Sequence, residues 1–385
     1  MDVASHDCVV VGAGPAGLAA ALALRQAGFD AVCVGPAPDP DLPDRRTAAL
    51  LQGSVRFLTG LGVWDRFAAV AAPLSALRLL DRTGRLLRAP DMVFEASEIG
   101  EAAFGYNLPN TRIVAALTEA LGASFIPTGG VTGIDPIPDA MRLSLADGRR
   151  LEAKLVVGAD GRRSLCREAA GIGTREWRYD QTAIVCNFAH NRPHGGVCTE
   201  FHYAQGPFTV VPLPGNWSSL VWVSRPVDAA SLAAMGDAEF VRAIAGRLDG
   251  LLGDITEAGP RNSFPLAGLV ARRLTGERLA LVGEAAHVMP PIGAQGLNLG
   301  FRDAADLAAC AARSGRDPGA VGMLGAYETA RRGDVLTRML AADLLNRTLV
   351  SGLLPLQFAR GAGLMALSMS APLRRAAMRQ GMAAA

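Results

Sequence analysis

The chain has 385 residues, of which half are hydrophobic and 19% are charged, and its formal net charge is +2. This composition indicates a compact globular protein and excludes a disordered one, and the small net charge argues against a nucleic-acid-binding protein. The length predicts either one very large domain or two closely packed ones.

The first motif lies at the start of the chain. Residues Cys8 to Val11 are apolar and predict a buried strand, and Ala16 to Ala27 are rich in the helix formers Ala and Leu. Between them, Gly12, Gly14 and Gly17 form the pattern Gly-x-Gly-x-x-Gly. Such glycines allow a tight turn, a close approach of a pyrophosphate and close packing of the helix on the strand. The sequence therefore predicts an anion site at the N-terminus of the first helix.

Residues Asp30 to Val34 predict the second strand of a nucleotide-binding βαβ unit. An acidic residue at the end of this strand normally binds a ribose diol. Here Gly35 takes that place, and the nearest acids follow in a proline-rich segment, at Asp39, Asp41 and Asp44. Any of the three could substitute. We therefore expect weak retention of a dinucleotide, and we expect Gly35→Glu to tighten it if the loop leaves room.

The middle of the chain contains predicted strands that do not belong to a nucleotide-binding fold. Helices are predicted at Leu50–Leu61 and Asn110–Leu121, and a hairpin at Ala76–Ala89 with its turn at Thr83-Gly84. Short strands are predicted at Val131–Asp135, Met141–Leu145, Leu151–Val157, Ala183–Phe188, Val197–Tyr203, Phe208–Pro212 and Ser219–Ser224. The strands after Ala183 predict the sheet of a second lobe, inserted between the nucleotide-binding segments. A helical segment at Ala229–Leu252, a strand at Arg278–Val282 and a long helix from about Gly296 follow.

Two later junctions also combine a strand, a glycine turn and a helix. The strand Leu151–Val157 leads into Gly-Ala-Asp-Gly, which contains Asp160 and Gly161. A carboxylate in such a turn can accept hydrogen bonds from backbone amides and from ligand hydroxyls. The third junction is GEAAHVMPPIGAQGLNLGFRD, which begins at Gly283.

In this order and spacing, the three motifs resemble those of the group A flavoprotein monooxygenases, which share the fold of para-hydroxybenzoate hydroxylase. The chain is most similar to the ubiquinone-biosynthesis hydroxylases, through RTAALLQGSVRFLTGLGVW from Arg46, YNLPNTR from Tyr106, and PPIGAQGLNLG with the Arg-Asp that follows. The resemblance covers almost the whole chain. It implies an α/β fold of mixed α+β character, with a Rossmann-like FAD-binding lobe, an interleaved mixed-sheet substrate lobe and C-terminal helices. The implied boundaries are 1–75, 106–180 and 271–330 for the FAD lobe, 76–105 and 181–270 for the substrate lobe, and 331–385 for a helical tail.

The same resemblance implies the residues that bind FAD. They are Gly12, Gly14, Ala16, Gly17, Arg46, Arg112, Asp160, Gly161, Gly283, Glu284, Pro291, Ala294, Gly296, Leu297 and Asn298. Pro291 and Gly296 would lie beside the flavin ring, and no side chain is assigned a catalytic role because the cofactor performs the chemistry. Two departures from the family pattern stand out: Glu284 replaces an aspartate and Ala294 a glycine. No metal site is expected, and His287 is interpreted as a structural residue.

The implied activity is the hydroxylation of an aromatic ring. NAD(P)H would reduce FAD, and the reduced flavin would form a C4a-hydroperoxide with O₂ that transfers one oxygen atom. The implied substrate is a polyprenylated phenol of ubiquinone biosynthesis. The alternatives are hydroxylation of a soluble aromatic compound or natural product, a flavin reductase of the geranylgeranyl-reductase type, and a non-enzymatic flavin-binding role.

The C-terminal tail combines arginines with apolar stretches. From Arg331 onward it has eight arginines and two aspartates, and its stretches Thr348–Ala359 and Gly361–Leu373 are too short to span a bilayer. For the first stretch, a helix pair that completes the core is the alternative to a lipid interface. For the second, we expect contact with a membrane surface or a protein of the ubiquinone pathway, so that deletion of Gly361–Ala385 leaves folding intact. Because no signal peptide is recognised, the expected location is the cytoplasm, peripherally at the inner membrane.

Overall fold

The computed structural model describes residues 3–38, 46–84, 89–291, 293–315, 317–350 and 354–382. Its strands are β1 (Ala4–Val11), β2 (Ala31–Gly35), β3 (Thr47–Leu51), β4 (Ala72–Pro73), β5 (Ala76–Asp81), β6 (Met92–Glu95), β7 (Gly105–Pro109), β8 (Phe125–Pro127), β9 (Val131–Ile137), β10 (Ala140–Leu145), β11 (Arg150–Gly158), β12 (Thr174–His190), β13 (Val197–Tyr203), β14 (Gly206–Leu213), β15 (Trp217–Ser224), β16 (Ile255–Ala258), β17 (Asn262–Ala271), β18 (Thr275–Gly276), β19 (Leu279–Leu281) and β20 (His287–Val288).

The α-helices are α1 (Pro15–Gln26), α2 (Gln52–Gly60), α3 (Asn110–Leu121), α4 (Leu165–Ala169), α5 (Pro226–Ala234), α6 (Asp237–Leu248), α7 (Gln295–Arg313), α8 (Val321–Val350), α9 (Leu354–Met369) and α10 (Ala371–Met382). Together with the strands they form the mixed α/β architecture that the sequence predicts, which is confirmed.

One sheet carries the nucleotide-binding unit. Its strand order is β18-β19-β11-β1-β2-β8, and the hairpin β9-β10 extends it from β11. The strands β19, β11, β1, β2 and β8 run parallel, so their carboxyl ends lie at one edge. The strands are apolar on both faces because helices and loops cover them, as the buried run from Cys8 to Val11 shows.

A second sheet forms the substrate lobe, with the order β20-β17-β12-β15-β14-β13-β5-β6 and with β16 also paired to β12. Helices α5 and α6 cover one face, where Phe188, Phe208, Trp222 and Phe240 belong to a buried aromatic cluster. A small sheet, β3-β7-β4, lies against the strands of this lobe. Asn107 of β7 donates a hydrogen bond to the carbonyl of Pro212 in β14 at 2.9 Å.

Several predicted elements differ from the observed ones. The predicted helix Leu50–Leu61 begins two residues later, because Leu50 and Leu51 belong to β3 and pair with β7. For the predicted hairpin, the structure shows that β5 pairs with β6 and that Asp81 accepts hydrogen bonds from the backbone N–H groups of Thr83 and Ala89. The predicted second arm includes residues 85–88, which lie outside the described residues. The predicted strand Ala183–Phe188 is only part of β12, whose first half pairs with β17. The predicted helix Ala229–Leu252 is divided into α5 and α6, since the backbone at Met235 and Gly236 is extended.

The tail is more closely joined to the body than its sequence suggests. Arg331 is 1% exposed and lies within α8, so the predicted boundary at 330/331 falls inside a helix. The boundaries at 105/106, 180/181 and 270/271 fall inside β7, β12 and β17.

Helices α9 and α10 pack on the substrate lobe. Leu364, Leu367 and Met378 contact the cluster around Met92 and Phe94. Arg374 forms an ion pair with Glu98 at 2.7 Å. Deletion of Gly361–Ala385 would therefore expose Met92 and Phe94 and remove the partner of Glu98, and the expectation that it leaves folding intact stays a prediction.

Candidate cofactor site

All three sequence motifs start at the same edge of the nucleotide-binding sheet. In the strand register, Val11 is opposite both Val34 and Gly158, and Gly158 is opposite Leu281. The turns that follow β1, β11 and β19 therefore lie side by side at the carboxyl ends of parallel strands. Ligands of open α/β sheets bind at this edge.

The first glycine turn is in direct contact with the second motif. Gly12 has a φ of +120°, and a Cβ atom there would lie 2.2 Å from the carbonyl oxygen of Ala159. A Cβ at Gly17 would lie 2.1 Å from the carbonyl oxygen of Gly12. By contrast, a Cβ at Gly14 would have no atom within 4 Å. Gly12 and Gly17 thus serve close packing, while the space at Gly14 is open to a ligand.

The N-terminus of α1 is suited to bind an anion. Its N-cap residue is Gly14, its first residue is Pro15, and no side chain caps its N–H groups. The helix dipole places partial positive charge at this end, and the N–H groups of Ala16 and Gly17 need acceptors. A diphosphate would supply both the negative charge and the acceptor oxygens.

The second motif is a folded turn that its own side chains stabilise. Asp160 accepts hydrogen bonds from the Ser164 hydroxyl at 2.5 Å and from the N–H of Cys166 at 3.0 Å. The Asp160 carboxylate thus fixes the start of α4. The turn that contains Asp160 and Gly161 lies directly beside Gly12.

A buried arginine, which sequence reasoning did not assign to the site, joins the second motif to the third. Arg167 on α4 donates to the carbonyl of Ala285 at 2.9 Å and to that of Arg162 at 2.8 Å. The preceding Gly-Arg-Arg-Ser predicts that Arg167 lies on a helix. It does not predict the hydrogen bond to Ala285, because Ala285 is 118 residues away in the chain.

The third motif is anchored by Asp303 of α7. Its Oδ2 atom accepts hydrogen bonds from the N–H of Gly283 at 2.9 Å and from Nε2 of His287 at 2.6 Å. Its Oδ1 atom accepts one from Nε of Arg331 at 2.8 Å. Burial acts to raise the pKa of Asp303, but His287, Arg331 and the Gly283 N–H outweigh it and hold that pKa below its usual value. His287 is therefore part of a buried ionic network, in agreement with its interpretation as a structural residue.

The third motif also brings the N-terminus of α7 to the site. Ala294 is its N-cap residue, and no side chain caps the N–H groups of the first turn, which contains Gly296 and Leu297. The side chain of Asn298 is directed elsewhere, since its Oδ1 accepts from Ser54 and the N–H of Leu51 and its Nδ2 donates to Ala49. Asn298 thus fastens α7 to β3 and α2. A helix N-terminus stabilises negative charge, which is what the pyrimidine end of a reduced flavin carries.

The other assigned residues lie around these turns. The carbonyl of Arg46 accepts a hydrogen bond from the N–H of Asn110 at 3.0 Å, which places Arg46 near the start of α3, where Arg112 is exposed. Glu284 and Pro291 are exposed beside the buried Gly283 and Pro290. A Cβ at Gly283 would lie 3.2 Å from Cβ of Ala16, so the first and third motifs are also in contact.

The end of β2 has no room for the missing acid. A Cβ at Gly35 would lie 2.8 Å from the backbone nitrogen and 2.9 Å from Cβ of Ala13. The expectation that Gly35→Glu tightens dinucleotide binding depends on room for the side chain, and that condition is not met, because the side chain would displace the first glycine turn. Asp39, Asp41 and Asp44 lie outside the described residues.

We expect Gly35→Glu to lower the free energy of unfolding by about 1–3 kcal/mol, the usual cost of overpacking. Chemical denaturation of the apoprotein measures this loss. Gly60→Glu is the matched control, because a Cβ at Gly60 has no atom within 4 Å. Equal stability of the two variants would show that the turn at Ala13 can move without cost.

The chemistry of the site fits FAD rather than a metal ion. Two uncapped helix N-termini and an open glycine face offer hydrogen-bond donors to phosphates and to an anionic ring. Among the described residues, no group of His, Cys, Asp or Glu side chains is arranged to hold a metal. All six cysteines are free, and burial raises the pKa of the Cys33 thiol to about 12.

Comparisons with known proteins agree with this interpretation. The model of the FAD binding domain family matches residues 5–342. Ubiquinone hydroxylase UbiL of Rhodospirillum rubrum is 36% identical, with 98% of this chain and 89% of the relative aligned. The 3-demethoxyubiquinol 3-hydroxylase of Escherichia coli is 33% identical, with 97% of both chains aligned.

The fold is shared with solved structures of flavoenzymes. The Klebsiella pneumoniae protein HpxO, complexed with FAD and uric acid, superposes with a TM-score of 0.78 at 21% identity, covering 97% of this chain and 96% of that one. The chain thus belongs to the group A FAD-dependent monooxygenases, within the family of ubiquinone-biosynthesis hydroxylases.

Proposed function

We propose that this enzyme uses NAD(P)H and O₂ to insert one oxygen atom into the ring of a polyprenylated phenol in ubiquinone biosynthesis. The observation that carries the proposal is the convergence of three motifs, from Gly12, Gly158 and Gly283, at one sheet edge. The names of the two relatives support the substrate class. One is named as a ubiquinone hydroxylase and the other as a hydroxylase of 3-demethoxyubiquinol.

The residues of the site would have separate tasks. FAD, when bound, would take a hydride from NAD(P)H and activate O₂ for ring hydroxylation. The free N–H groups at the start of α1 would hold its diphosphate, and those of Gly296 and Leu297 would stabilise negative charge at its ring. Asp303, Arg167 and Asn298 would keep the three turns in register through the hydrogen bonds described above.

The test is NAD(P)H oxidation by the FAD-loaded enzyme, with a prenylated phenol supplied in vesicles. We expect the substrate to stimulate oxidation of the reduced nicotinamide and the product mass to increase by one oxygen atom. Stimulation by a soluble phenol but not by its prenylated form would instead favour a soluble aromatic substrate. A product that gains two hydrogens without O₂ would identify a reductase. No turnover of any substrate would leave only flavin binding and contradict the proposal.

We also propose that the outward surfaces of α8, α9 and α10 lie against an anionic membrane. Eight of the fourteen large hydrophobic side chains that are exposed among the described residues lie between Leu336 and Leu373. On α8, Leu336, Leu340 and Leu344 are four residues apart and share one face. On α9, Met369 is 80% exposed. Among the described residues, no helix is long and apolar enough to cross a membrane, so the proposal is a surface contact.

The distribution of charge along the tail indicates that this surface contacts lipids with anionic headgroups. No residue from Gly361 to Leu373 is charged, and Arg375 and Arg379 follow on α10, where both are exposed. An apolar face next to arginines suits the boundary between acyl chains and anionic headgroups. A polar pocket of about 570 Å³ between β12 and α8 is a poor site for an isoprenoid chain, because Arg178, Arg225 and Arg347 line it.

The membrane proposal predicts that two charge substitutions separate lipid binding from folding. We expect Leu340→Glu with Met369→Glu to weaken binding to phosphatidylglycerol vesicles at least about tenfold, since each inserted side chain contributes about 1.5–3 kcal/mol. Cosedimentation at low and high salt measures it. Val227→Glu is the control, because Val227 is 65% exposed on α5, outside the tail. If wild type, the Leu340→Glu/Met369→Glu variant and the Val227→Glu control all fail to bind the vesicles, or all bind them equally, this surface does not bind lipid.

A further inference from the structure

The turn that precedes α7 has an unusual backbone. Gly293 has a φ of +65° and Ala294 a φ of +54°, so both residues are left-handed. Glycine adopts this conformation freely, but the Cβ atom of alanine opposes it. Ala294 is also the N-cap of α7, and it has no side chain that could bond to the helix. Other contacts must therefore hold the turn in place.

Gln295 and Arg338 supply those contacts from one side. Nε2 of Gln295 donates to the carbonyl of Gly293 at 3.0 Å, and Oε1 of Gln295 accepts from Nη1 of Arg338 at 3.0 Å. The Gln295 side chain thus links the turn to α8. From the other side, Asn298 donates to the carbonyl of Ala294.

Arg338 itself is held in an ionic network. Its Nε donates to Oδ1 of Asp334 at 2.7 Å. The other carboxylate oxygen of Asp334 accepts from Arg331 at 2.9 Å and from Arg302 at 3.3 Å. The side chain of Arg338 is only 15% exposed. This network continues through Arg331 to Asp303, so α8 is tied to both ends of the third motif.

We propose that Gln295 and Arg338 are positioning residues that keep the Gly293–Ala294 turn left-handed and thereby direct the N–H groups of Gly296 and Leu297 at the flavin. The inference rests on the proposed flavin position at the N-terminus of α7. The contribution of the Gln295 side chain depends on Ala294, because a glycine there would need no external support for the same backbone.

A double-mutant cycle between Gln295→Met and Ala294→Gly tests this dependence. Methionine keeps the length of the side chain but removes both of its hydrogen bonds. With Ala294 present, we expect Gln295→Met to weaken FAD binding to the apoprotein by about tenfold and to shift the flavin midpoint potential to a more negative value. With Ala294→Gly present, we expect both effects to shrink to about twofold.

Arg338→Met should reproduce the effects of Gln295→Met, and Arg347→Met, the same substitution at a more exposed arginine of α8, is the control. Arg347 also pairs with an aspartate four residues before it on α8, at 2.8 Å to Asp343, but it does not contact Gln295. If Gln295→Met lowered FAD affinity equally with Ala294 and with Ala294→Gly, the inference would be overturned, but the proposed flavin position at the N-terminus of α7 would still hold. Unchanged affinity and potential in every variant would overturn both. Product mass analysis, which tests the hydroxylase activity, is independent of either result.

Discussion

Replacement of Asp303 by asparagine is expected to lower the free energy of unfolding by about 3–5 kcal/mol, the cost of removing one partner from a buried ion pair. The side chains of Asp303 and Arg331 are each 1% exposed. Without the carboxylate, the Arg331 guanidinium would remain buried next to a neutral amide. Because a typical domain has a stability of only about 5–15 kcal/mol, this loss is large.

Asp306→Asn is the control for this experiment. Asp306 also accepts a hydrogen bond from Arg331, at 3.0 Å, but its side chain is 25% exposed and it contacts neither Gly283 nor His287 through any described hydrogen bond. We expect it to cost about 1 kcal/mol or less. Urea denaturation of both apoproteins measures the difference. Similar midpoints for the two variants would show that Asp334 and Asp306 are sufficient to balance the charge of the buried Arg331 guanidinium.

The pH dependence of the Asp303 effect has a definite sign. The pKa of Asp303 is held below its usual value in the folded protein, so the folded state binds fewer protons than the unfolded state. The stabilisation is complete above the unfolded pKa of about 4 and is lost as the pH falls through the lower folded pKa. We therefore expect the difference in stability between wild type and Asp303→Asn to be constant above about pH 5 and to shrink in more acidic solution.

The parts of the fold that are local in sequence could be predicted. A short apolar run followed by Gly12 or Gly158 specifies a strand and its turn, because the strand needs burial and the turn needs glycine. The start of α7 was predicted within one residue, at Gly296 rather than Gln295. The similarity to a known family then gave the arrangement of the two lobes, which no local pattern contains.

The contacts between distant segments could not be predicted. The sequence places Arg331 among the arginines of the predicted tail, since nothing in its neighbours reveals a carboxylate 28 residues earlier. The crowding at Gly35 comes from Ala13, on the neighbouring turn, and only the strand register of β1 and β2 brings them together. In each case the decisive partner comes from tertiary packing.

The glycines of the first motif should divide into two functional classes, and this is the second large effect that we expect. Gly17→Ala should destabilise the apoprotein by about 3 kcal/mol or more, at the upper end of overpacking costs. Its Cβ would lie 2.1 Å from the carbonyl oxygen of Gly12 and 2.9 Å from Cβ of Ala159. Both contacts are with the packed turns themselves, so α1 would have to move away from the sheet.

Gly14→Ala should do the opposite. Gly14 has a φ of −76° and a ψ of 167°, which alanine adopts without strain, and its Cβ would meet no atom within 4 Å. The stability of the apoprotein should fall by about 1 kcal/mol or less, because alanine is a somewhat poorer N-cap residue than glycine, and this loss is well below that of Gly17→Ala. FAD affinity should fall at least about tenfold, because the methyl group would occupy the open face that a pyrophosphate approaches. Thermal unfolding of the apoprotein and fluorescence titration with FAD measure the two quantities separately. If Gly14→Ala binds FAD as tightly as wild type does, the diphosphate does not lie over this turn. The glycines of the first motif would then serve only to pack α1 against β1 and the turn after β11.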